Sequence, residues 1–282
     1  SAQTCAPTGV WLQVLGSNGP RIDPTRASTG YLLWIDGKGR LLVDAGGGSF
    51  LRFGQSSAQL NDLWLVAISH LHPDHTSDLP ALLWLSEAAR DHPLRIAGPP
   101  GDSVTPDFNS FLSRLFDARQ GAFPMLAPTL GGTHPNGRGV RLEPAVVDFS
   151  RPGASTVVAD EDFRVSALSI PHGMPTVAYR VETAGVAVVF SSDQNGTDER
   201  FQAFARDAHL LVMHLAIGAG ETFPPIHASP AVVGQVATAA RPKHLVLSHL
   251  GRFDLAAAEA EVRKSYAGPL TMADDLRCVE VK

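Results

Sequence analysis

Along the first fifty residues, short apolar runs alternate with turn residues: GVWLQVLG, a polar loop SNGPRIDPTRAST, then GYLLWIDGKGRLLVDAGGG. That pattern predicts a strand, a long loop and a β-hairpin whose DGKG turn joins two β-rich runs. LWLVAIS at 63–69 is continuously apolar, as a strand buried on both faces would be. The period then changes. Asp78 as a cap, Pro80 in the first turn and the stripe Leu79, Leu82, Leu83, Ser86 predict a helix ending near HPL. RIAG predicts a short strand, and Phe108, Phe111, Leu112, Leu115 and Phe116 recur at the spacing of a second helix. Residues 121–160 are rich in Gly and Pro without a period, which predicts loop with short strands. From 161 onward DFRVSALSI, TVAYRVETAGVAVVFSS (with a hairpin turn at ETAG), AHLLVMHLA and KHLVLSHL predict strands. SPAVVGQVATAA, opened by Ser229 and Pro230, and DLAAAEAEVRKSY predict helices.

Strands alternating with helices in both halves, with no linker between them, predict an α/β fold in which sheets are covered by helices, as one domain over 1–282. Composition narrows the partners. No apolar run approaches the roughly 20 residues that cross a bilayer, so no membrane span is expected. A net charge of -5 and a pI of about 6.1 argue against an extended nucleic-acid footprint and favour a small-molecule substrate. The start SAQTCAPTG, without Met, suits a mature periplasmic or secreted protein, or else a trimmed cytoplasmic one. Cys5 and Cys278, the two cysteines, are either a terminal bridge or two separate thiols.

The chemistry concentrates in ISHLHPDHTSDLP at 68–80. In an extended segment His70, His72 and Asp74 share one side while His75 points away, and Pro73 favours a turn. The spacing suits two metals, one held by His70 and His72, the other reached by Asp74 and His75. Further donors stand at equivalent places: His172 follows SALSIP, Asp193 follows AVAVVFSS and His249 follows HLVLS. Each lies just past an apolar run, where strands of an α/β sheet deliver side chains to one rim. His227 immediately precedes the helix opened by Ser229, where free N–H groups and the dipole attract a phosphate or sulfate. His92, His134 and His244 have no placed partner and receive no role.

With HLHPDH at 70–75 followed in order by His172, Asp193 and His249, the sequence resembles the metallo-β-lactamase superfamily over nearly its whole length. The resemblance implies a four-layer αββα sandwich of two mixed sheets with a dinuclear site at one edge. It implies that His70, His72 and His172 bind one zinc, that Asp74, His75 and His249 bind the other, and that Asp193 bridges them. The same donors accept iron or manganese. A homodimer is the oligomeric expectation carried by the resemblance.

Within the superfamily, Asp193 and His75 disfavour the antibiotic-hydrolysing branch, and His72 stands where flavin-linked di-iron members carry Glu. Glyoxalase II needs a helical domain after the last ligand, and 33 residues follow His249. VLGSNGPRIDPTRAST, LRIAGPPG, PHGMPTVAYRVE and IHASPAVVGQVATAARPKHLVLSHL resemble the ribonuclease Z and arylsulfatase branch. In ribonuclease Z a His at the position of His227 contacts the scissile phosphate, and a Glu stands where this chain has His214. Bacterial members insert a long tRNA-binding arm between the third His and the bridging Asp, whereas 20 residues separate His172 from Asp193.

The leading expectation is therefore a dinuclear zinc hydrolase of a small phosphodiester or aryl sulfate ester. Two zinc ions would lower the pKa of a shared water towards about 7. Asp74 would orient that water or take its proton, a protonated His227 would hydrogen-bond the anion, and His214 would partner His227. A tRNA 3′-processing endonuclease of ribonuclease Z type is the next reading, and a lactone or thioester hydrolase a third. The apolar stretch GAFPMLAPTLGG is expected to wall the pocket against an aryl or acyl group.

Overall fold

The computed structural model describes residues 3–84, 92–131 and 140–282. Its first half supplies β1 (Val10–Gly16), β2 (Gly30–Ile35), β3 (Lys38–Val43), α1 (Ser49–Gln55), β4 (Leu65–Ala67), α2 (Pro73–Thr76), α3 (Leu79–Trp84), β5 (Leu94–Gly98), α4 (Phe108–Phe116) and β6 (Leu142–Val146). The second supplies β7 (Ser155–Ala159), β8 (Phe163–Ile170), β9 (Thr176–Thr183), β10 (Val186–Phe190), α5 (Glu199–Phe204), β11 (Leu210–His214), α6 (Pro230–Ala240), β12 (Leu245–Ser248), α7 (Leu255–Arg263), β13 (Leu270–Met272) and β14 (Cys278–Val281). The remainder of the helix predicted after Pro80, including Ser86, and His134 lie outside the described residues.

The strands form two seven-stranded sheets, ordered β14-β1-β2-β3-β4-β5-β6 and β13-β12-β11-β10-β9-β8-β7. In both, the neighbours are antiparallel on one side and parallel on the other. The change falls at β3 in the first sheet and at β10 in the second. Each half holds a two-residue hairpin. Asp36 (φ 47°) and Gly37 (φ 77°) join β2 to β3, and Ala184 (φ 49°) and Gly185 (φ 78°) join β9 to β10. Two left-handed residues in succession match the twist of the flanking strands.

Alternation along the strands sorts side chains into three cores. Leu12, Val14, Leu33, Leu41, Val165, Val212 and Val246 meet between the sheets. Leu32, Trp34 and Leu42 face outward against Leu79, Leu83, Phe108, Leu112 and Phe116 of α3 and α4. Leu211, Met213 and Leu247 face outward against Val233, Val236, Ala258 and Val262 of α6 and α7. A strand such as β11, apolar on both faces, therefore reads as a continuous run. The result is the expected αββα sandwich of two mixed sheets.

Two features differ from the sequence-based expectation, and a third decides between the two alternatives left open for the cysteines. Asp78 does not cap its own helix with its side chain: Oδ2 accepts from the backbone N–H groups of Gly48 (2.8 Å) and Phe50 (2.9 Å) and so caps α1, which had no sequence signature. Residues 70–75 are not extended throughout. Pro73 opens the short helix α2, its fixed φ suiting the first helical position. The ends of the chain meet: β14 pairs with β1, setting Gln13 opposite Cys278, and Cys5 and Cys278 form a disulfide with Cα atoms 5.7 Å apart. That separation is ordinary for a bridge.

Candidate functional site

Every predicted metal donor comes from the same rim, beyond the C-terminal ends of strands that run in one direction. His70 and His72 follow β4, Asp74 and His75 lie on α2, His172 follows β8, Asp193 follows β10 and His249 follows β12. The structure brings them into two groups, His70, His72, His172 and Asp193 in one, Asp74, His75, Asp193 and His249 in the other. Within each group one donor atom per residue lies within 4.8 Å of the others, and Asp193 belongs to both. His70 Nε2 and His72 Nδ1 stand 2.9 Å apart. Asp193 Oδ2 lies 3.6 Å from His70 Nε2, 3.7 Å from His172 Nε2 and 3.4 Å from His75 Nε2. His249 Nε2 lies 3.1 Å from Asp74 Oδ2 and 3.3 Å from Asp193 Oδ1.

Four ring nitrogens here, His75 Nε2, both nitrogens of His172 and His249 Nδ1, are buried without a hydrogen-bond partner. Such orphans are rare in folded proteins and call for an explanation. Imidazoles and carboxylates around one locus are a donor set for zinc, iron or manganese, and the residues present fit a metal centre. Burial lowers the pKa of His70, His72 and His172, the last to about 4, and so favours the neutral ring that a metal requires. His75 goes the other way: burial lowers its pKa, but the charges of Asp193 and Asp44 more than reverse this. Burial raises the pKa of Asp74, and the hydrogen bond from His249 with the facing His75 ring overcomes it, holding the carboxyl well below its usual range.

Asp44, which the sequence reading missed, orients ligands of both groups. His75 Nδ1–H donates to its Oδ2 (2.7 Å), which turns Nε2 towards the cluster. Ser69 N–H donates to Oδ1 (2.7 Å) and Ser69 Oγ–H to Oδ2 (2.8 Å). With its hydroxyl proton committed, Ser69 Oγ accepts from His70 Nδ1–H at 3.1 Å and exposes Nε2 of that ring as well. Outer partners of this kind fix tautomer and orientation. Asp44→Ala is expected to weaken metal binding by roughly 10–100-fold, as titration of the metal-free protein would show. Unchanged affinity would deny Asp44 this role. A signal was present: Asp44 ends the apolar run LLV, the same placement that identified Asp193.

His214 corrects an expectation. It does not partner His227, because both ring nitrogens are engaged elsewhere. Burial lowers its pKa to about 4, so the ring is neutral with one proton to give. Nδ1–H donates to Asp193 Oδ1 (2.6 Å), and Nε2 accepts from Tyr31 Oη–H (2.8 Å). His214 therefore holds the shared aspartate from beneath and is closed off from substrate, being almost fully buried. His227 stands instead at the mouth, half-buried, with its ring centroid 5.6 Å from that of His172 and 5.9 Å from that of His249. Burial lowers its pKa too, so near neutral pH it offers the single N–H of a neutral ring rather than a cation.

Backbone demands complete the site. Asp44 (φ 61°), Ser192 (φ 49°) and His249 (φ 54°) adopt the left-handed conformation at strand ends, strain of a kind that concentrates at functional positions. A Cβ at Gly19 would stand 2.5 Å from the His249 ring, and one at Gly46 would stand 2.0 Å from the Asp74 carbonyl oxygen. Only glycine permits these approaches. Gly19, Arg21, Pro224, His227 and His249 line a recess of about 110 Å³ over the second group.

The sequence profile described as "Beta-lactamase superfamily domain" matches residues 39–250, most of the chain and every predicted ligand. The chain belongs to the metallo-β-lactamase superfamily. A protein named ribonuclease Z from a Mycobacterium species (strain KMS) is 33% identical over 186 residues, spanning 64% of this chain and 60% of that relative's length. One of the same name from Mycolicibacterium paratuberculosis is 28% identical over 287 residues, spanning 95% of this chain and 97% of the relative. Human tRNase Z, short form, superposes with a TM-score of 0.72 at 20% identity over 96% of this chain and 98% of that structure, a likeness of fold. At this level the family and the fold are shown, and the chain spans less than two thirds of the length of the first of these relatives.

Proposed function

We propose that this metallo-β-lactamase-fold hydrolase is a phosphodiesterase that cleaves an RNA end. The observation that carries the reading is the placement of His227: two residues before the N-cap of α6, its ring beside those of His172 and His249, in a recess it shares with Arg21. A volume of about 110 Å³ accommodates one phosphate and little more. His70, His72 and His172 would hold one divalent ion, Asp74, His75 and His249 a second, and Asp193 both. In our reading the ions are zinc and would supply Lewis acidity and a lowered pKa for attacking water.

The chain's own groups do the rest. Asp74, ionised, accepts a hydrogen bond from the attacking water and orients it towards phosphorus. His227 N–H donates to a non-bridging or leaving oxygen, and the Arg21 guanidinium offers a cation to the diester charge. The curated relatives named ribonuclease Z support RNA over the aryl sulfate expected from sequence alone. The relative from Mycolicibacterium paratuberculosis that bears this name matches over 95% of this chain and 97% of its own length, which supports the reading along nearly the whole chain.

A second reading, a small phosphodiester met outside the cytoplasm, draws support from the Cys5–Cys278 bridge, since disulfides persist in oxidising compartments. Initial rates on a 3′-extended precursor tRNA, bis(p-nitrophenyl) phosphate, p-nitrophenyl sulfate and a p-nitrophenyl carboxylic ester separate the readings. Turnover of the tRNA is the expected result, and cleavage of the carboxylic ester alone would overturn phosphodiester hydrolysis. His227→Ala is expected to lower kcat by roughly 10²-fold with metal content unchanged; loss of metal in that variant would make the residue structural.

A further inference from the structure

A second cavity, of about 400 Å³, opens beside α3. Ser77, Pro80, Ala81 and Trp84 form one wall, Phe123 and Met125 the other, and among the described residues no charged side chain lines it. Trp84 and Met125 are each 54% exposed and Phe123 is 39% exposed, so three large apolar side chains stay in contact with water around one recess. Exposed apolar surface gathered in this way usually marks a place where something binds.

Its position ties it to the metal cluster. Ser77 caps α2 and lies three residues after Asp74, so the two share a face of that helix about one turn apart. The phosphate-sized recess by His227 leaves no room for a ring attached to the phosphate, and the rest of a diester must lie elsewhere. Another cavity of similar size, about 420 Å³, is lined by Asp36, Lys38 and Thr183, at the hairpin turns of β2–β3 and β9–β10. Those turns are at the opposite ends of β3 and β10 from Asp44 and Asp193, which puts that cavity out of reach.

We propose that the cavity between Trp84 and Phe123 binds the nucleobase of a nucleotide next to the scissile phosphate. The inference rests on the phosphodiesterase reading and names the substrate's other contact. Unpaired bases are held by stacking on aromatic side chains, with little demand for charge. Half-exposed rings suit a base, whose polar edge stays hydrated, and Ser77 places one hydroxyl among the apolar contacts. Phe123, Met125 and Leu126 of the stretch GAFPMLAPTLGG thus wall a cavity, with α3 as the opposite wall.

Two measurements on the metal-loaded protein test this. Uridine 5′-(p-nitrophenyl phosphate) and methyl p-nitrophenyl phosphate share a leaving group and a charge and differ in the base. The expected ratio of kcat/KM favours the uridine ester by roughly 5- to 150-fold, the range for stacking one base. In Trp84→Ala/Phe123→Ala, or in Ala81→Phe, which fills the cavity, the ratio is expected to fall towards one while the methyl ester rate stays. A ratio that stays high in both variants overturns the proposal.

Binding is read independently by tryptophan fluorescence, with uridine 5′-monophosphate as probe and ribose 5-phosphate as the base-free control. Quenching by the nucleotide alone, lost in Ala81→Phe, is the expected result. Equal response to both probes overturns the base site. Should neither ester turn over while base-dependent quenching persists, the cavity assignment stands and the phosphodiesterase reading fails.

Discussion

Replacing Asp74 with alanine is expected to lower kcat by roughly 10²–10⁴-fold, the range for removing a group that handles a proton in the transition state. The same substitution is expected to reduce the metal content from two ions towards one. The two effects have separate origins. Asp74 Oδ2 faces His249 Nε2 at 3.1 Å and His75 Nε2 at 3.4 Å, so its loss strips the second donor group to His75, His249 and the shared Asp193. The first group, His70, His72, His172 and Asp193, does not include it. Metal analysis beside kinetics on a phosphodiester checks both. If excess metal refills the second position and restores a near-normal rate, Asp74 is a ligand and nothing more.

Opening the Cys5–Cys278 bridge is expected to destabilise the fold by about 3–5 kcal/mol. The magnitude follows from loop closure: the bridge joins residues 273 apart and so constrains nearly the whole unfolded chain. In the folded state it also ties the N-terminal segment to β14, the edge strand of the first sheet. For a chain of this size the loss corresponds to a fall in Tm of roughly 6–15 °C. Thermal melts of the protein with and without reductant, and of Cys5→Ala/Cys278→Ala without it, should agree. A melting temperature indifferent to reductant would show that the bridge does not contribute. Metal affinity, read on the same samples, is expected to change little, since neither cysteine belongs to a donor group.

Much of the sandwich could be read from periodicity, because burial imposes it. β2, β3, β9 and β10 flank turns that accept left-handed residues, and β2, β4, β11 and β12 are buried throughout because helices cover one face and the other sheet the opposite face. α6 and α7 announce themselves by Ser229 and Asp254, whose side chains accept from Val232 N–H and Ala257 N–H. By contrast α1 and α5 have seven and six residues, too short for a face to repeat, and β13 and β14 have three and four. Such segments carry no period, and their neighbours rather than their own composition decide their form. The capping of α1 by Asp78, 28 residues away from Phe50, is one instance.

The ligands were legible for a second reason. A strand of such a sheet can deliver a side chain to the open rim only from about the first three residues beyond its end, so a polar residue there stands out against the apolar run before it. His70, His172, Asp193 and His249 obey this rule, and so does Asp44, overlooked because its role is to orient rather than to coordinate. What the sequence by itself determined is therefore which residues reach the rim and which faces are buried. Only the tertiary structure decided which of them meet: that His214 joins Tyr31 and Asp193 rather than His227, that Cys5 finds Cys278, and that Phe123 and Met125 face Trp84 across a cavity. The physical reason is that periodicity reports a residue's side of its own strand or helix. Its partner across the sandwich is set by register and by the crossing of elements far apart in the chain.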